Sequence, residues 1–299
     1  MKPIELPDGN RGRRRILRSL ATGALAGILG PGRVLAQTTS GRTVRVGLTP
    51  AFVHDQHALM ADWRRYLEVK LGVPVEFVPR NSYRETMDLL HQGRLDFAWL
   101  CVYPFLYLKD LVRLLAVPLN QGRPYYRSYL VVAADDQRRN SMADLKGAVF
   151  AYSDLYSNTG YLVPRYQVRQ LGEDPATFFR KTFFTWSHRK AIEAVAAGMA
   201  DGAAMDSFVW DTLVRVKPEV TAGTRIIGRS AEYGFPPFVA HRTVAAQDFD
   251  AMQRVLLGMS HDPAGQVLLA RLNINDGFIP GERSLYDSVI VMMRAFGEY

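Results

Sequence analysis

One local pattern occurs twice in this 299-residue chain and restricts its fold more than any other feature. A helical stretch closes on Gly-x-x-Asp and an apolar strand opens at once. Gly93-Arg94-Leu95-Asp96 leads into residues 95–100, and Gly198-Met199-Ala200-Asp201 leads into residues 203–205 about a hundred residues later. Around the first copy, strands at 43–48 and 73–78 alternate with helices at about 56–71 and 82–91. An extended segment follows at 129–133. Around the second copy, strands at 148–152 and 181–185 alternate with helices at 161–171 and 190–197. This is the order expected of α/β architecture, so two α/β lobes are the economical reading. Counting five residues on from each aspartate reaches Cys101 in the first copy and Asp206 in the second. Ligands of open α/β sheets lie beyond the carboxyl ends of strands, which places both residues in one cleft, on opposite walls, if the lobes face one another.

The junction before the helix at 161–171 carries the densest chemistry. Tyr156-Ser157-Asn158-Thr159-Gly160 sets three small hydroxyl or amide side chains and a glycine at the mouth of that helix, and Pro164 is tolerated only near the first turn. The first N–H groups of a helix lack intrahelical partners, and the positive end of the dipole points at the loop, so an oxyanion can be held without a dedicated lysine. The alternative is that Ser157 or Asn158 simply caps the helix.

The first 36 residues read as an export signal, cleaved near Ala36. Arg13-Arg14-Arg15-Ile16-Leu17-Arg18 resembles the twin-arginine signature, an Ala/Gly-rich apolar stretch runs from Leu20 to Leu29, and Val34-Leu35-Ala36 supplies a small-residue cleavage pattern. The alternative is a basic arm for nucleic acid, in which an apolar run and a cleavage site have no role. Lys2 and six arginines against Glu5 and Asp8 account for five of the eight net positive charges. No basic stripe with interleaved aromatics remains to recruit nucleic acid. No later stretch reaches the roughly 20 apolar residues of a membrane span. The expectation is a soluble periplasmic protein.

Cys101 is the single cysteine, so no disulfide can form within the chain. An unpaired thiol in an exported protein either hides in the core, ligates something soft, or reacts. Cys101, His188 and Asp206 are the residue types of a nucleophile, base and orienting acid, which leaves a Cys-dependent hydrolase or transferase as an alternative. No local nucleophile signature surrounds Cys101. His54, Asp55 and His57 and the lone cysteine do not amount to a zinc ligand set, so neither metal nor cofactor is expected. Phe178, Phe179, Phe183, Phe184 and Trp186 read as core packing, and Tyr125-Tyr126 as lying near the first crossing between lobes.

Several of these motifs together resemble those of the phosphonate- and phosphite-binding periplasmic proteins of ABC transporters, which are type II solute-binding proteins. They are Leu48-Thr49-Pro50, Gly93-x-x-Asp96-Phe97-Ala98-Trp99, Ser128-Tyr129-Leu130-Val131-Val132 with Asp144-Leu145-Lys146-Gly147, the block Ser157 to Pro164, and Phe235-Pro236-Pro237-Phe238-Val239-Ala240. The resemblance implies a two-lobed fold with a hinge and a central ligand cleft, lobe 1 being 42–127 with 234–299 and lobe 2 being 128–233. It implies capture of a small oxyanion, without catalysis, by a monomer that docks on an inner-membrane ABC permease. Ser157, Asn158, Thr159 and Gly160 would hold the anion oxygens, His188 would be a further donor, Asp206 would face the ligand from the same lobe, and Tyr103 would reach in from the other. Cys101 departs from the usual phosphonate pattern. A similar branch, arsenite-sensing periplasmic proteins that report to a histidine kinase, carries a cleft cysteine, and there trivalent arsenic would bond the Cys101 sulfur.

Overall fold

The computed structural model describes residues 42–49 and 57–299. The expected export segment and the pair His54 and Asp55 lie outside the described residues. β1 (Val44–Leu48), α1 (His57–Leu71), β2 (Val75–Pro79), α2 (Tyr83–His91) and β3 (Phe97–Trp99) form a parallel βαβαβ unit in the order β2-β1-β3. α3 (Val102–Tyr107) and β4 (Val112–Pro118) follow, and the chain leaves through β5 (Tyr125–Tyr126). A second unit contains β6 (Ser128–Ala133), β7 (Val149–Tyr152), α4 (Val163–Gln170), β8 (Lys181–Phe184), α5 (His188–Ala196), β9 (Gly202–Asp206), α6 (Ser207–Val216), α7 (Pro218–Thr221) and β10 (Thr224–Arg229). β11 (Tyr233–Gly234) then pairs antiparallel with β5, so the outgoing and returning segments lie side by side. β12 (Phe238–His241), α8 (Ala246–Gly258), α9 (Pro263–Leu272), β13 (Phe278–Pro280) and α10 (Asp287–Ala295) complete the first unit.

The sheets run β13-β4-β12-β3-β1-β2 and β10-β6-β9-β7-β8. Each holds a parallel trio, β2-β1-β3 or β8-β7-β9, flanked by an antiparallel strand that enters from the crossing, β12 or β6. The Gly-x-x-Asp echo is a structural repeat down to its hydrogen bonds. Gly93 and Gly198 both take positive φ, 63° and 69°, the left-handed conformation that ends a helix without a side-chain penalty. Asp96 then accepts the Arg45 N–H on Oδ2 at 2.8 Å and gives its own N–H to Arg45 O at 2.9 Å. Asp201 does the same with Val149, at 2.8 Å for both bonds. In each unit the aspartate fastens the first strand of the trio to the third.

Trp99 anchors the larger core. It stacks on Phe238 at 5.2 Å, meets Trp63 edge-on at 6.1 Å, and donates its Nε1–H to Pro236 O at 3.0 Å. The Phe97-Ala98-Trp99 and Phe235–Phe238 motifs, 137 residues apart at this bond, are therefore two sides of one contact. The smaller sheet packs Tyr129, Val131, Met205 and Trp210 on one face and Leu130, Val132, Phe150, Phe178 and Phe179 on the other.

Two sequence expectations need correction. The helix read as beginning at Tyr161 begins at Asn158 with a π-helical turn, Asn158–Leu162, in which Leu162 N–H reaches back five residues to Ser157 O at 3.0 Å. A single π turn leaves no hydropathy signature, and such turns concentrate at functional sites. Trp186 is not core: it is 49% exposed, with φ of 60°, while the phenylalanines before it pack inward. The reversal of the chain into α5 turns its side chain out of the strand's alternation.

Candidate functional site

Ser157 is the residue around which the site is built. It caps the π turn, with Oγ accepting the Gly160 N–H at 3.0 Å, and its own N–H is held by Asp154 O at 2.9 Å. The capping reading of this junction therefore holds at Ser157. The Asn158 N–H points at Cys101 Sγ, 3.4 Å away. Ser128 Oγ donates to Thr159 O at 2.7 Å and steadies the turn from below.

His188, the first residue of α5, faces this loop. The Asp206 N–H donates to His188 Nδ1 at 3.2 Å, so Nδ1 is an acceptor and the proton of the neutral ring sits on Nε2. Burial pushes the imidazolium pKa down to about 3, which keeps the ring neutral near pH 7. The Nε2–H lies 3.4 Å from both Ser157 Oγ and Tyr83 OH, at the outer limit of hydrogen bonding, so it remains an underused donor. Asp206 ends β9 and caps α6, its Oδ1 accepting the N–H groups of Phe208 at 2.8 Å and Val209 at 3.3 Å. Burial raises its carboxyl to about 7 against those two bonds, so a large share is protonated at neutral pH.

The six-stranded side supplies Cys101, Tyr83 and, through β5, Tyr126. Asn158 Nδ2 donates to Tyr126 OH at 3.0 Å, and the Cys101 sulfur lies 3.9 Å from that hydroxyl. Burial pushes the Cys101 thiol up to about 12, so it is a thiol and not a thiolate at physiological pH. A neutral thiol is a poor nucleophile, so attack from Cys101 would first require loss of that proton. Asp154 ties the two sides together, its carboxylate accepting the Tyr83 N–H at 3.1 Å and the Tyr156 N–H at 2.8 Å.

Buried polar atoms without partners are rare in folded proteins, and here they gather. Among the described residues, Ser153 Oγ, Asn158 Oδ1 and Thr159 Oγ1 are all buried and unpaired, and Thr49 Oγ1 at the end of β1 is another. Each costs about 1–3 kcal/mol when nothing binds it. No lysine or arginine is among the buried described residues, so negative charge here would be met by neutral donors and dipoles. Outside the Tyr83–His188 contact, an open cavity of about 580 Å³ is lined by Asn81, Ser82 and Glu85 from one side and Trp186, Ser187 and Lys190 from the other.

Seven of the eight residues expected from the sequence thus meet: Cys101, Ser157, Asn158, Thr159, Gly160, His188 and Asp206. Tyr103 does not. Its hydroxyl bonds Glu298 and lies 3.4 Å from Tyr107 OH, because α3 turns that ring toward the segment after α10. Tyr83, Tyr126, Ser153 and Asp154 escaped the sequence reading. Tyr83 follows Ser82, which caps α2 in a Ser-x-x-Glu box with Glu85, and that signal was available. The others depend on contacts between segments distant in the chain. Among the described residues no group of three or more His, Cys, Asp or Glu side chains could hold a metal ion, and His57 is exposed.

Gly160 admits no side chain. A Cβ there would stand 1.8 Å from Ser153 Oγ, 2.8 Å from Ser153 Cβ and 3.1 Å from His188 Cε1. Gly160→Ala is expected to cost about 1–3 kcal/mol of stability and to push Ser153 and His188 off the loop. Thermal denaturation and ligand titration of that variant check this; an unchanged melting temperature with unchanged binding would contradict it.

Residues 46–286 match the family model described as "ABC transporter, phosphonate, periplasmic substrate-binding protein". The chain is 27% identical over 164 residues to the phosphate-import protein PhnD of Mycolicibacterium smegmatis, a match spanning 50% of each. It is 25% identical over 226 residues to the phosphonates-binding periplasmic protein of Escherichia coli, covering 73% of this chain and 67% of that one. The chain thus spans about half to two thirds of the length of these relatives. Among solved structures it superposes on PhnD1 of Prochlorococcus marinus in complex with methylphosphonate with TM-score 0.77 and 20% identity, over 86% of this chain and 99% of that one. A binding component of a phosphonate ABC transporter from Pseudomonas aeruginosa gives TM-score 0.78 and 19% identity, over 84% and 85%. These two superpositions establish the two-lobed fold, and nothing in the matches favours the arsenite-sensing branch. With more than half of its length inside that family model, the chain belongs to the periplasmic substrate-binding proteins of phosphonate ABC transporters.

Proposed function

We propose that this protein captures a small oxyanion of the phosphonate, phosphite and phosphate class in the periplasm and presents it to an inner-membrane ABC permease. The observation that carries this reading is the set of buried, unpaired or underused donors converging on the π turn: Thr159 Oγ1, Ser153 Oγ and His188 Nε2–H. Tetrahedral oxygens would accept from these groups, and Asp206, when protonated, would add a further O–H. Cys101, Tyr83 and Tyr126 would close the wall from the other lobe. In this reading lobe 1 is 42–127 with 234–299, lobe 2 is 128–233, and β5 with β11 is the hinge. The chain is exported as a precursor cleaved near Ala36, acts as a monomer and performs no chemistry on its ligand.

Micromolar affinity requires about −8 kcal/mol. Several charge-assisted hydrogen bonds at about 1.5–3 kcal/mol each, less the cost of ordering the lobes, reach that figure in a water-poor site. Calorimetric titration of the chain with methylphosphonate, phosphite, phosphate and arsenite tests the reading. Heat with at least one of the first three is expected; no heat with any of them sinks it. Cys101→Ser is expected to bind the same oxyanion within about threefold, since a neutral hydroxyl replaces a neutral thiol. Binding of arsenite alone, lost in Cys101→Ser, would overturn the oxyanion reading.

A further inference from the structure

The Tyr103 hydroxyl joins an arrangement that spans both lobes. Arg165 lies on α4, the helix that continues the π turn between β7 and β8, and Glu298 follows α10, beyond β13 of the other sheet. Arg165 Nη1 lies 3.3 Å from Glu298 Oε1, and the second carboxylate oxygen, Oε2, accepts the Tyr103 O–H. The same guanidinium sits over two rings, Phe296 at 4.1 Å and Tyr161 at 4.6 Å, and Arg169 stands 5.5 Å from the Phe296 ring. Tyr103, Tyr107 and Tyr156 form the floor, with Tyr107 and Tyr156 edge to face at 5.8 Å and Tyr103 and Tyr107 at 5.0 Å. α10 packs against α3, α4 and the π turn, so the segment that follows it lies beside the turn that carries Ser157 to Gly160.

We propose that residues 296–298 form a clasp, with Arg165 and Glu298 as positioning residues that hold the two lobes and the π turn in the ligand-gripping arrangement. The inference rests on the oxyanion-capture reading for its ligand. The charge pair is the electrostatic half of the clasp. The stack of Tyr161, Arg165 and Phe296 is the other half, and it requires the flat guanidinium that lysine lacks. Tyr161 belongs to the anion-holding turn itself, so slack at Arg165 is slack in the loop. For a ligand that binds only the closed arrangement, the apparent dissociation constant is the intrinsic one divided by the fraction of molecules that are closed. Loosening the clasp therefore acts on ligand release, although neither the Arg165 nor the Glu298 side chain is among the groups proposed to hold the anion.

The test compares the unmodified chain with Glu298→Gln, Arg165→Met, Arg165→Lys and the Arg165→Met, Glu298→Gln double variant, using methylphosphonate as probe. Dissociation constants, dissociation rates, melting temperatures and ligand-free small-angle scattering are recorded. Each single variant is expected to bind about tenfold more weakly, chiefly through faster dissociation, with Arg165→Lys failing to restore affinity. The double variant is expected to be no weaker than the worse single one, because both changes break one contact. Ligand-free radii of gyration are expected to rise. Glu298→Gln is near isosteric and keeps the fold, so unchanged affinity, release rate and scattering in that variant overturn the clasp. If the unmodified chain binds no phosphonate, the capture reading fails by itself, and the scattering comparison still decides: equal radii in all ligand-free chains overturn the clasp, and larger radii in the variants support it.

Discussion

Replacing Ser157 and Thr159 together by alanine is expected to abolish oxyanion binding, with a loss of about a hundred- to ten-thousandfold, from two charge-assisted hydrogen bonds worth about 1.5–3 kcal/mol each. The two residues contribute differently to the unliganded protein. Ser157 Oγ holds the Gly160 N–H, so Ser157→Ala alone is expected to cost about 0.5–2 kcal/mol of stability as a lost helix cap. Thr159 Oγ1 is buried and unpaired, so Thr159→Ala is expected to leave the ligand-free melting temperature unchanged or higher while still weakening binding. A hydroxyl that is a liability without ligand and an asset with it marks a binding group rather than a structural one. Calorimetric titration of the three variants beside their melting curves checks both halves. Wild-type affinity in the double variant would remove Ser157 and Thr159 from the site, and a large destabilisation from Thr159→Ala would make its role structural.

The second large effect lies in the pH dependence of folding. His188 has a folded pKa of about 3 against an ordinary value of 6.5, because burial penalises the imidazolium. The unfolded chain binds the proton more readily, so this group's contribution to stability is lost as pH falls below 6.5. Asp206 has a folded pKa of about 7 against an ordinary 3.8, because burial penalises the carboxylate. There the folded chain binds the proton more readily, so the contribution is present at low pH and is lost as pH rises from 3.8 through 7. Between pH 3.8 and 6.5 the two slopes oppose one another and stability is expected to be nearly flat from this pair. Asp206→Asn keeps the capping oxygen and removes one titration, so its stability is expected to climb with pH across that window by on the order of 1 kcal/mol per unit. His188→Gln is expected to slope the other way. Denaturant midpoints at several pH values read both signs, and parallel profiles for the two variants would show that neither group carries the burial assigned to it.

Much of the architecture was legible because it is written in local patterns. The alternation of apolar and amphipathic segments located the elements of both parallel trios within about two residues, and the Gly-x-x-Asp echo marked a repeat whose hydrogen bonds the two units share atom for atom. The first turn after Ser157 was legible as a capped helix start and a candidate anion loop for a similar reason: capping and dipole chemistry depend on neighbours in sequence. The π turn was not, since a five-residue reach-back adds one residue to a helix without changing its hydrophobic face. Trp186 was misassigned because alternation places it with the phenylalanines, and only the turn into α5 reverses it.

The sequence by itself determined the two α/β units, the capped helix start at Ser157, and the family signature that unites them, because each rests on periodicity, capping residues or short motifs. Tertiary structure alone decided which partners complete the site. Tyr83, Tyr126 and Asp154 meet the loop from segments tens of residues away, Tyr103 is drawn to Glu298, and the Cys101 thiol and His188 ring are held neutral. Those outcomes follow from burial and from contacts between the lobes, and neither exists until the chain has folded back through β5 and β11.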